Sequence, residues 1–335
     1  MTPKNRIIPV FVPHLGCPND CVFCNQRKIS GSLFPASPAE VTETLLEAQK
    51  VTERGELAFY GGSFTAIPEA EQEALLRAAQ PFRESGFLKS IRVSTRPDAV
   101  TPEKLQRLKR YGVETVELGA QSMDDAVLRL SGRGHTAEAT RNAAERVKSE
   151  GLRLILQMMT GLPDSDAEKD LNTARALCAL RPDGARVYPT VILRGTALET
   201  MWRRGTYRAH TVSDAVETCA PIVRLFREAG IPILRLGLNP TEELSGGEAV
   251  GGAYHPALGE LVYSRVFLQM AREAIRALPK LPRKAELLVS ERDVSKMTGR
   301  GRCNLLTLQM EFGLAEIRVK SGAFPPDTVA IRVIL

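Results

Sequence analysis

Apolar residues along this chain come in short, nearly unbroken runs separated by segments of helical spacing. The runs are Ile7–Val12, Leu57–Tyr60, Ile91–Thr95, Val113–Leu118, Leu152–Gln157 and Ala185–Tyr188, with a seventh at Ile231–Leu236. They lack the clean apolar–polar alternation of a half-exposed strand, which predicts strands covered on both faces. The segments between them carry helix signals. Ser37-Pro38-Ala39-Glu40 supplies a cap, a first-turn proline and a returning acid, and Val41, Leu45 and Ala48 then share one face. Thr101-Pro102 opens another such helix, with Leu105 and Leu108 inward. Gly112, Gly151 and Gly230 stand where helices give way to strands. Repeated strand–helix units predict an α/β fold with parallel strands and right-handed crossovers. Six units predict a partial (β/α)6 TIM-like barrel over residues 1–240. A full eight-unit barrel takes about 250 residues and two further repeats.

Periodicity fades at 238–262, which reads as a long glycine-rich loop, and returns in an amphipathic helix at Tyr263–Leu278. Loop and linking helix together make a 241–282 segment. A small α/β domain is predicted over 283–335. It comprises a strand at Ala285–Val289, a helix at Arg292–Met297, the turn Gly299-Arg300-Gly301-Arg302, a helix at Cys303–Glu311, and strands at Ala315–Lys320 and Val329–Leu335.

Composition narrows the class. With 43% apolar and 25% charged residues the chain is of ordinary globular type. There is no apolar run of about eighteen residues, so no membrane span is expected, and the proline-rich start is a poor secretory signal. The expected place is the cytoplasm. A net charge of +6 suits a polyanionic partner. Cys178, Cys219 and Cys303 are scattered, which argues against a disulfide framework.

Chemistry enters with Cys17, Cys21 and Cys24, in the run His14–Gln26 directly after the first strand. Three thiols so close supply three ligands to one metal centre. A structural zinc site wants four ligands, and His14 is the candidate fourth. An iron–sulfur cube held by three thiolates leaves one iron open for a small molecule. In a barrel of this kind the loop lands on the face where strands end, the face that carries chemistry.

The C-x3-C-x2-C spacing, with Phe23 before the last cysteine, resembles the signature of the radical S-adenosylmethionine (radical SAM) enzymes. The resemblance implies a [4Fe-4S] cluster on the three cysteines and SAM on the open iron. Reduction then cleaves SAM to a 5′-deoxyadenosyl radical. Leu57–Thr65 runs a strand into Gly61-Gly62-Ser63, similar to the family's glycine–glycine–glutamate segment that holds the methionine amino group; Ser63 departs from it by lacking charge. Val93–Asp98, Val113–Ser122, Gly132–Thr136 and Leu156–Pro163, in that order, resemble the Elongator catalytic-subunit-like branch. The oxygen-independent coproporphyrinogen oxidases share the glycine–glutamine–serine segment and are the nearest rival. The resemblance spans about residues 6–236. It implies that Gly61, Gly62, Ser63, Arg96 and Glu117 hold the cofactor. It implies also that Gln121, Arg133 and Gln157 serve the reaction centre. His135 reads as a loop histidine capping the next helix.

The strand–helix–turn–helix–strand order of the last residues resembles a KH-type RNA-binding core, whose GXXG turn clamps a nucleic-acid backbone. Here Arg302 replaces the second glycine, and Lys296, Arg300 and Arg302 are expected near any phosphate. The expected partners are therefore RNA, tRNA above all, and an electron donor such as flavodoxin or ferredoxin. The segment after the barrel is short for an acetyltransferase domain and holds no convincing acetyl-CoA loop, so acetyl-CoA-dependent chemistry is not carried over. A radical SAM enzyme acting on a small molecule such as a tetrapyrrole stays open, as does a zinc-stabilised RNA-binding protein without catalysis.

Overall fold

In a computed structural model, residues 6–12, 17, 21–25, 36–241 and 244–334 are described. The elements run β1 (Arg6–Val12), α1 (Pro38–Gln49), β2 (Gly55–Gly61), α2 (Glu69–Ala78), α3 (Gln80–Glu84), β3 (Leu88–Thr95), α4 (Pro102–Arg110) and β4 (Val113–Gln121). Then come α5 (Asp125–Leu130), α6 (Ala137–Ser149), β5 (Arg153–Thr160), α7 (Ala167–Ala179), β6 (Gly184–Pro189), β7 (Val191–Leu193), α8 (Ala197–Arg203), α9 (Val212–Glu228) and β8 (Ile233–Leu236). The chain finishes with β9 (Ala249–Gly252), α10 (Leu258–Arg276), β10 (Lys284–Ser290), α11 (Val294–Thr298), α12 (Cys303–Phe312), β11 (Glu316–Gly322) and β12 (Ala330–Ile334).

Seven strands form one sheet in the order β1-β2-β3-β4-β5-β6-β8, every neighbouring pair parallel. The curled, partial TIM-like barrel read from the sequence is thus present, and the seventh run joins it as β8 beyond the six units. Its inner strands are largely apolar because helices cover one side and the curl closes on the other: Leu57, Ala58 and Phe59 are fully buried, whereas the edge strands β1 and β8 leave Ile7 and Leu234 exposed. Ser37 Oγ accepts from Glu40 N at 3.2 Å and starts α1. Gly112, at φ +80°, ends the turn after α4 where a side chain would strike Arg83.

The 238–262 segment is not simply a loop. Leu244–Glu248 forms a π turn, and β9 pairs antiparallel with β7, a strand too short to read from the sequence. Glycine made β9 aperiodic, and the pairing needs it: at Gly252 (φ +86°) a Cβ would lie 2.7 Å from the Thr190 carbonyl oxygen. The expected helix at 292–297 is a 3-10 turn, Glu291–Asp293, followed by α11.

The last three strands make a mixed sheet, β11-β10-β12, parallel on one side of β10 and antiparallel on the other. α10 serves both cores. Leu258, Val262 and Val266 pack on the barrel, whereas Phe267, Leu268, Ala271 and Ile275 pack with Leu287, Val289 and Leu308 of the C-terminal sheet and helices. No helix among the described residues is long and apolar enough to cross a membrane.

Candidate active site

The strand ends of β2 to β6 and the cysteine loop surround one cavity of about 430 Å³. Cys17 and Cys24 border it, as do Gly61, Gly62 and Arg96. Glu117, Gln121, Arg133 and Gln157 border it from β4, the loop after α5, and β5. Ser63 is placed differently. Its fully buried hydroxyl lies 2.9 Å from Thr95 Oγ1 and accepts from Arg96 N, so its side chain braces the end of β3.

The thiols are held by the barrel through the backbone between them. Val22 N donates to the Ser131 carbonyl at 3.1 Å, and Val22 O accepts from Leu198 N at 2.8 Å at the start of α8. Phe23 packs against the cluster of Val127, Met159 and Leu162. Arg133 reaches across to the loop: Nη1 donates to Cys21 Sγ at 3.3 Å and Nη2 to the Gly119 carbonyl at 2.7 Å. Burial pushes the Cys17 thiol above its ordinary pKa, and the nearby Arg96 and Arg133 pull the other way. Arg96 is tied to Asp98 by bonds of 2.9 and 2.6 Å, which hold its pKa above the ordinary value. Among the described residues no three His, Cys, Asp or Glu side chains are already gathered as a metal site. His14 lies outside the described residues. The donor chemistry, two thiols and two arginines bordering one cavity with the third thiol, Cys21, held by one of those arginines, fits an anionic thiolate-bound cluster.

Gln121 carries a backbone signature that the sequence does not display. The β4–β5 register slips between Gly119 and Gln121, and Gln121 stands at φ +63°, a left-handed conformation that costs a non-glycine residue about 1–3 kcal/mol. The slip turns its side chain to accept from Gln157 Nε2 at 3.2 Å. Gly119 leaves room for this: a Cβ there would meet the Gln121 side-chain nitrogen at 2.9 Å.

Four residues of the site went unread in the sequence: Tyr60, Arg92, Arg186 and Tyr188. Tyr60, Arg92 and Arg186 surround Glu117, and the Tyr188 hydroxyl accepts from Arg186 Nη1 at 3.3 Å. Arg92 donates to Glu117 Oε1 and Glu56 Oε2, each at 2.7 Å. Arg186 Nε donates to Glu117 Oε2 at 2.8 Å, and its Nη2 reaches both Glu117 Oε1 at 3.1 Å and the Tyr60 hydroxyl at 2.8 Å. Burial alone would lower the pKa of both arginines, yet their carboxylate partners hold them above the ordinary value. Tyr60 is pushed up to about 12 by burial and by Glu117, so its phenol stays protonated. Arginines inside apolar strand runs, Ile91-Arg92-Val93 and Ala185-Arg186-Val187, were the available signal.

His135 is not a cap; Thr136 Oγ1 caps α6 by accepting from Ala139 N at 3.2 Å. The buried His135 ring meets the Ala120 carbonyl at 3.2 Å through Nε2, and burial and Arg133 lower its pKa to about 4. Lys296 is likewise not free for phosphate. Its Nζ donates to Asp293 at 2.6 Å and Asp327 at 3.0 Å and lies over the Tyr263 and Phe267 rings. Arg300 and Arg302 are exposed at the turn between α11 and α12, and neither forms an ion pair among the described residues. Arg302 takes φ +65°, the conformation a glycine there would adopt freely.

Comparison with known proteins gives two family matches, the radical SAM superfamily at residues 11–176 and the radical SAM C-terminal domain at 182–267. Elongator complex protein 3 of Mus musculus is 31% identical over 203 residues, 55% of this chain and 37% of that protein. The tRNA uridine(34) acetyltransferase of Methanocaldococcus infernus is 25% identical over 301 residues, 77% of this chain and 55% of that protein. The chain therefore spans well under two thirds of these relatives. The solved structure of Methanocaldococcus infernus Elp3 lacking its N-terminus superposes with a TM-score of 0.63 at 22% identity, over 82% of this chain and 64% of that one, and shares the fold.

Proposed function

The chain belongs to the radical SAM superfamily, and on that premise we propose that it is an RNA-modifying enzyme acting on tRNA. Its cofactors are a [4Fe-4S] cluster and SAM. When bound, they supply one electron and a radical able to abstract hydrogen from an unactivated carbon.

The observation that carries the reading is the convergence at one cavity of Cys17, Cys24 and Arg133, the last bonded to Cys21, on the face where the parallel strands end. Cys17, Cys21 and Cys24 would hold the cluster. Arg133 and Arg96 offset the negative charge of thiolates there. The backbone at Gly61 and Gly62 approaches the cavity without side chains and suits the methionine part of SAM. Glu117, locked by two arginines, orients the wall rather than moving a proton. Gln121 and Gln157 present amides toward the reacting carbon.

RNA as substrate rests on the likeness to tRNA-modifying relatives and on Arg300 and Arg302, free cations at a turn between helices of the KH-like unit at 283–335. An electron donor such as flavodoxin or ferredoxin goes with this chemistry. The test is anaerobic incubation of the reconstituted protein with SAM, dithionite and bulk tRNA. A changed nucleoside by mass spectrometry, and 5′-deoxyadenosine above the RNA-free level, are expected. Equal 5′-deoxyadenosine with and without RNA, and unchanged nucleosides, would overturn the RNA assignment.

A further inference from the structure

Gly161, the first residue after β5, has both its polar groups taken by side chains that the proposed chemistry does not use. Its φ is +70°, and a Cβ there would come 2.2 Å from the His210 ring, so only glycine fits under the imidazole. Its N–H donates to Asp170 Oδ2 at 2.9 Å, while Asp170 Oδ1 accepts from the Ser165 hydroxyl at 2.6 Å. Its carbonyl accepts from the Tyr207 hydroxyl at 2.7 Å. Asp170 on α7 is 3% exposed, and Tyr207, between α8 and α9, is 7% exposed. Burial pushes Tyr207 up to about 12, so its phenol keeps the hydrogen it gives. Two polar side chains withdrawn from water onto one glycine fix the turn Gly161–Ser165, which Ser165 N closes on the Leu162 carbonyl at 2.9 Å. None of Asp170, Tyr207 and His210 borders the cavity, so none of them meets substrate or cofactor there.

What the turn carries is Leu162. Its side chain is buried in a cluster with Val127 and Met159, and Phe23 of the cysteine loop packs against that cluster. The Tyr207 ring belongs to a second cluster, with Ile192 and Leu198, against which Val22 and Phe23 pack. Both clusters thus support the residues between Cys21 and Cys24, and both are tied to Gly161. Packing of this kind decides how often a ligand-bearing loop opens. We propose that Asp170 and Tyr207 are positioning residues for the thiol loop. By holding Gly161 at its N–H and its carbonyl they fix Leu162 and the Tyr207 ring, and so place Val22 and Phe23 and with them the thiols of Cys21 and Cys24. The inference rests on the reading of these cysteines as cluster ligands and adds the buried support behind them.

The test measures amide hydrogen exchange of residues 21–25 in the whole chain, before and after anaerobic cluster reconstitution. Val22 N and Cys24 N are both hydrogen-bonded, so their exchange reads the opening of the loop. Tyr207→Phe keeps the ring and removes one buried hydrogen bond, and exchange at residues 21–25 is expected to rise about tenfold. Leu162→Ala cuts the apolar link to Phe23 instead and should raise it at least as much. Thr101→Ala, which removes the cap of α4, lowers stability without touching this path and should leave residues 21–25 unchanged. After reconstitution, Tyr207→Phe and Leu162→Ala should also lose iron to a chelator about tenfold faster than the wild type. Unchanged exchange in either folded variant, or an equal rise in Thr101→Ala, would overturn the inference. A wild type that takes up no iron would remove the cluster reading, and exchange before reconstitution still decides the clamp on Gly161.

Discussion

Arg133 grips Cys21: its Nη1 donates to the cysteine sulfur at 3.3 Å while its Nη2 is anchored on the Gly119 carbonyl. One side chain thus ties the thiol loop to the bulged end of β4. A charged donor on sulfur is worth about 1.5–3 kcal/mol. Arg133→Gln is expected to lower iron retained per chain and to slow SAM cleavage tenfold or more, with the fold intact. Iron assay and 5′-deoxyadenosine yield measure the two effects.

Glu117 is the hub of a buried ion network, its side chain 4% exposed between Arg92 at 10% and Arg186 at 13%. Removing its charge leaves Arg186 without a carboxylate in a largely dry wall. Glu117→Gln is expected to cost about 3 kcal/mol in urea unfolding. Glu47, paired with Lys50 in full solvent, makes the contrast: Glu47→Gln should stay within about 0.5 kcal/mol.

Two buried groups give opposing pH dependences. Burial raises Asp170 to about 6, so the folded chain holds a proton there that the unfolded chain has lost. Its contribution is present below the ordinary carboxylate range and disappears as pH rises through 6, by about 3 kcal/mol. His135 is lowered to about 4, so its contribution is present above the ordinary imidazole range and is lost as pH falls through 4, by about 3 kcal/mol as well. Between about pH 4 and 6 the two nearly cancel. Relative to wild type, Asp170→Asn should make stability rise with pH in that window, and His135→Gln should make it fall. Denaturant midpoints at pH 4, 5 and 6 read both slopes.

Arg300 and Arg302 lie exposed on one turn. Replacing both with alanine is expected to weaken tRNA binding several-fold at low salt and to reduce the slope of log K against log salt by about 1–2. Filter binding from 50 to 200 mM salt measures it.

The barrel was legible because its strands are continuous apolar runs and its helices begin at caps such as Ser37 and Thr101, whose side chains accept from Glu40 N and Lys104 N. The cysteine triplet stands out in the sequence for the same reason: its spacing is local information. The Glu117 network was not, since Tyr60, Arg92, Glu117 and Arg186 come from four strands and meet only when the sheet curls. The β7–β9 ribbon was hidden because a three-residue strand has no period and its partner is glycine-rich. Lys296 looked like a phosphate ligand from its place beside the basic turn, but Asp327, far along the chain, takes it inward.

The proposed function requires that Cys17, Cys21 and Cys24 together hold a redox cluster that opens SAM. The direct measurement compares anaerobically reconstituted wild type with the Cys17→Ala, Cys21→Ala, Cys24→Ala triple variant, given SAM and dithionite. Iron, sulfide, broad brown absorbance and 5′-deoxyadenosine are expected in the wild type, and none of them in the variant. Zinc in place of iron in the wild type, or undiminished 5′-deoxyadenosine from the variant, would contradict it.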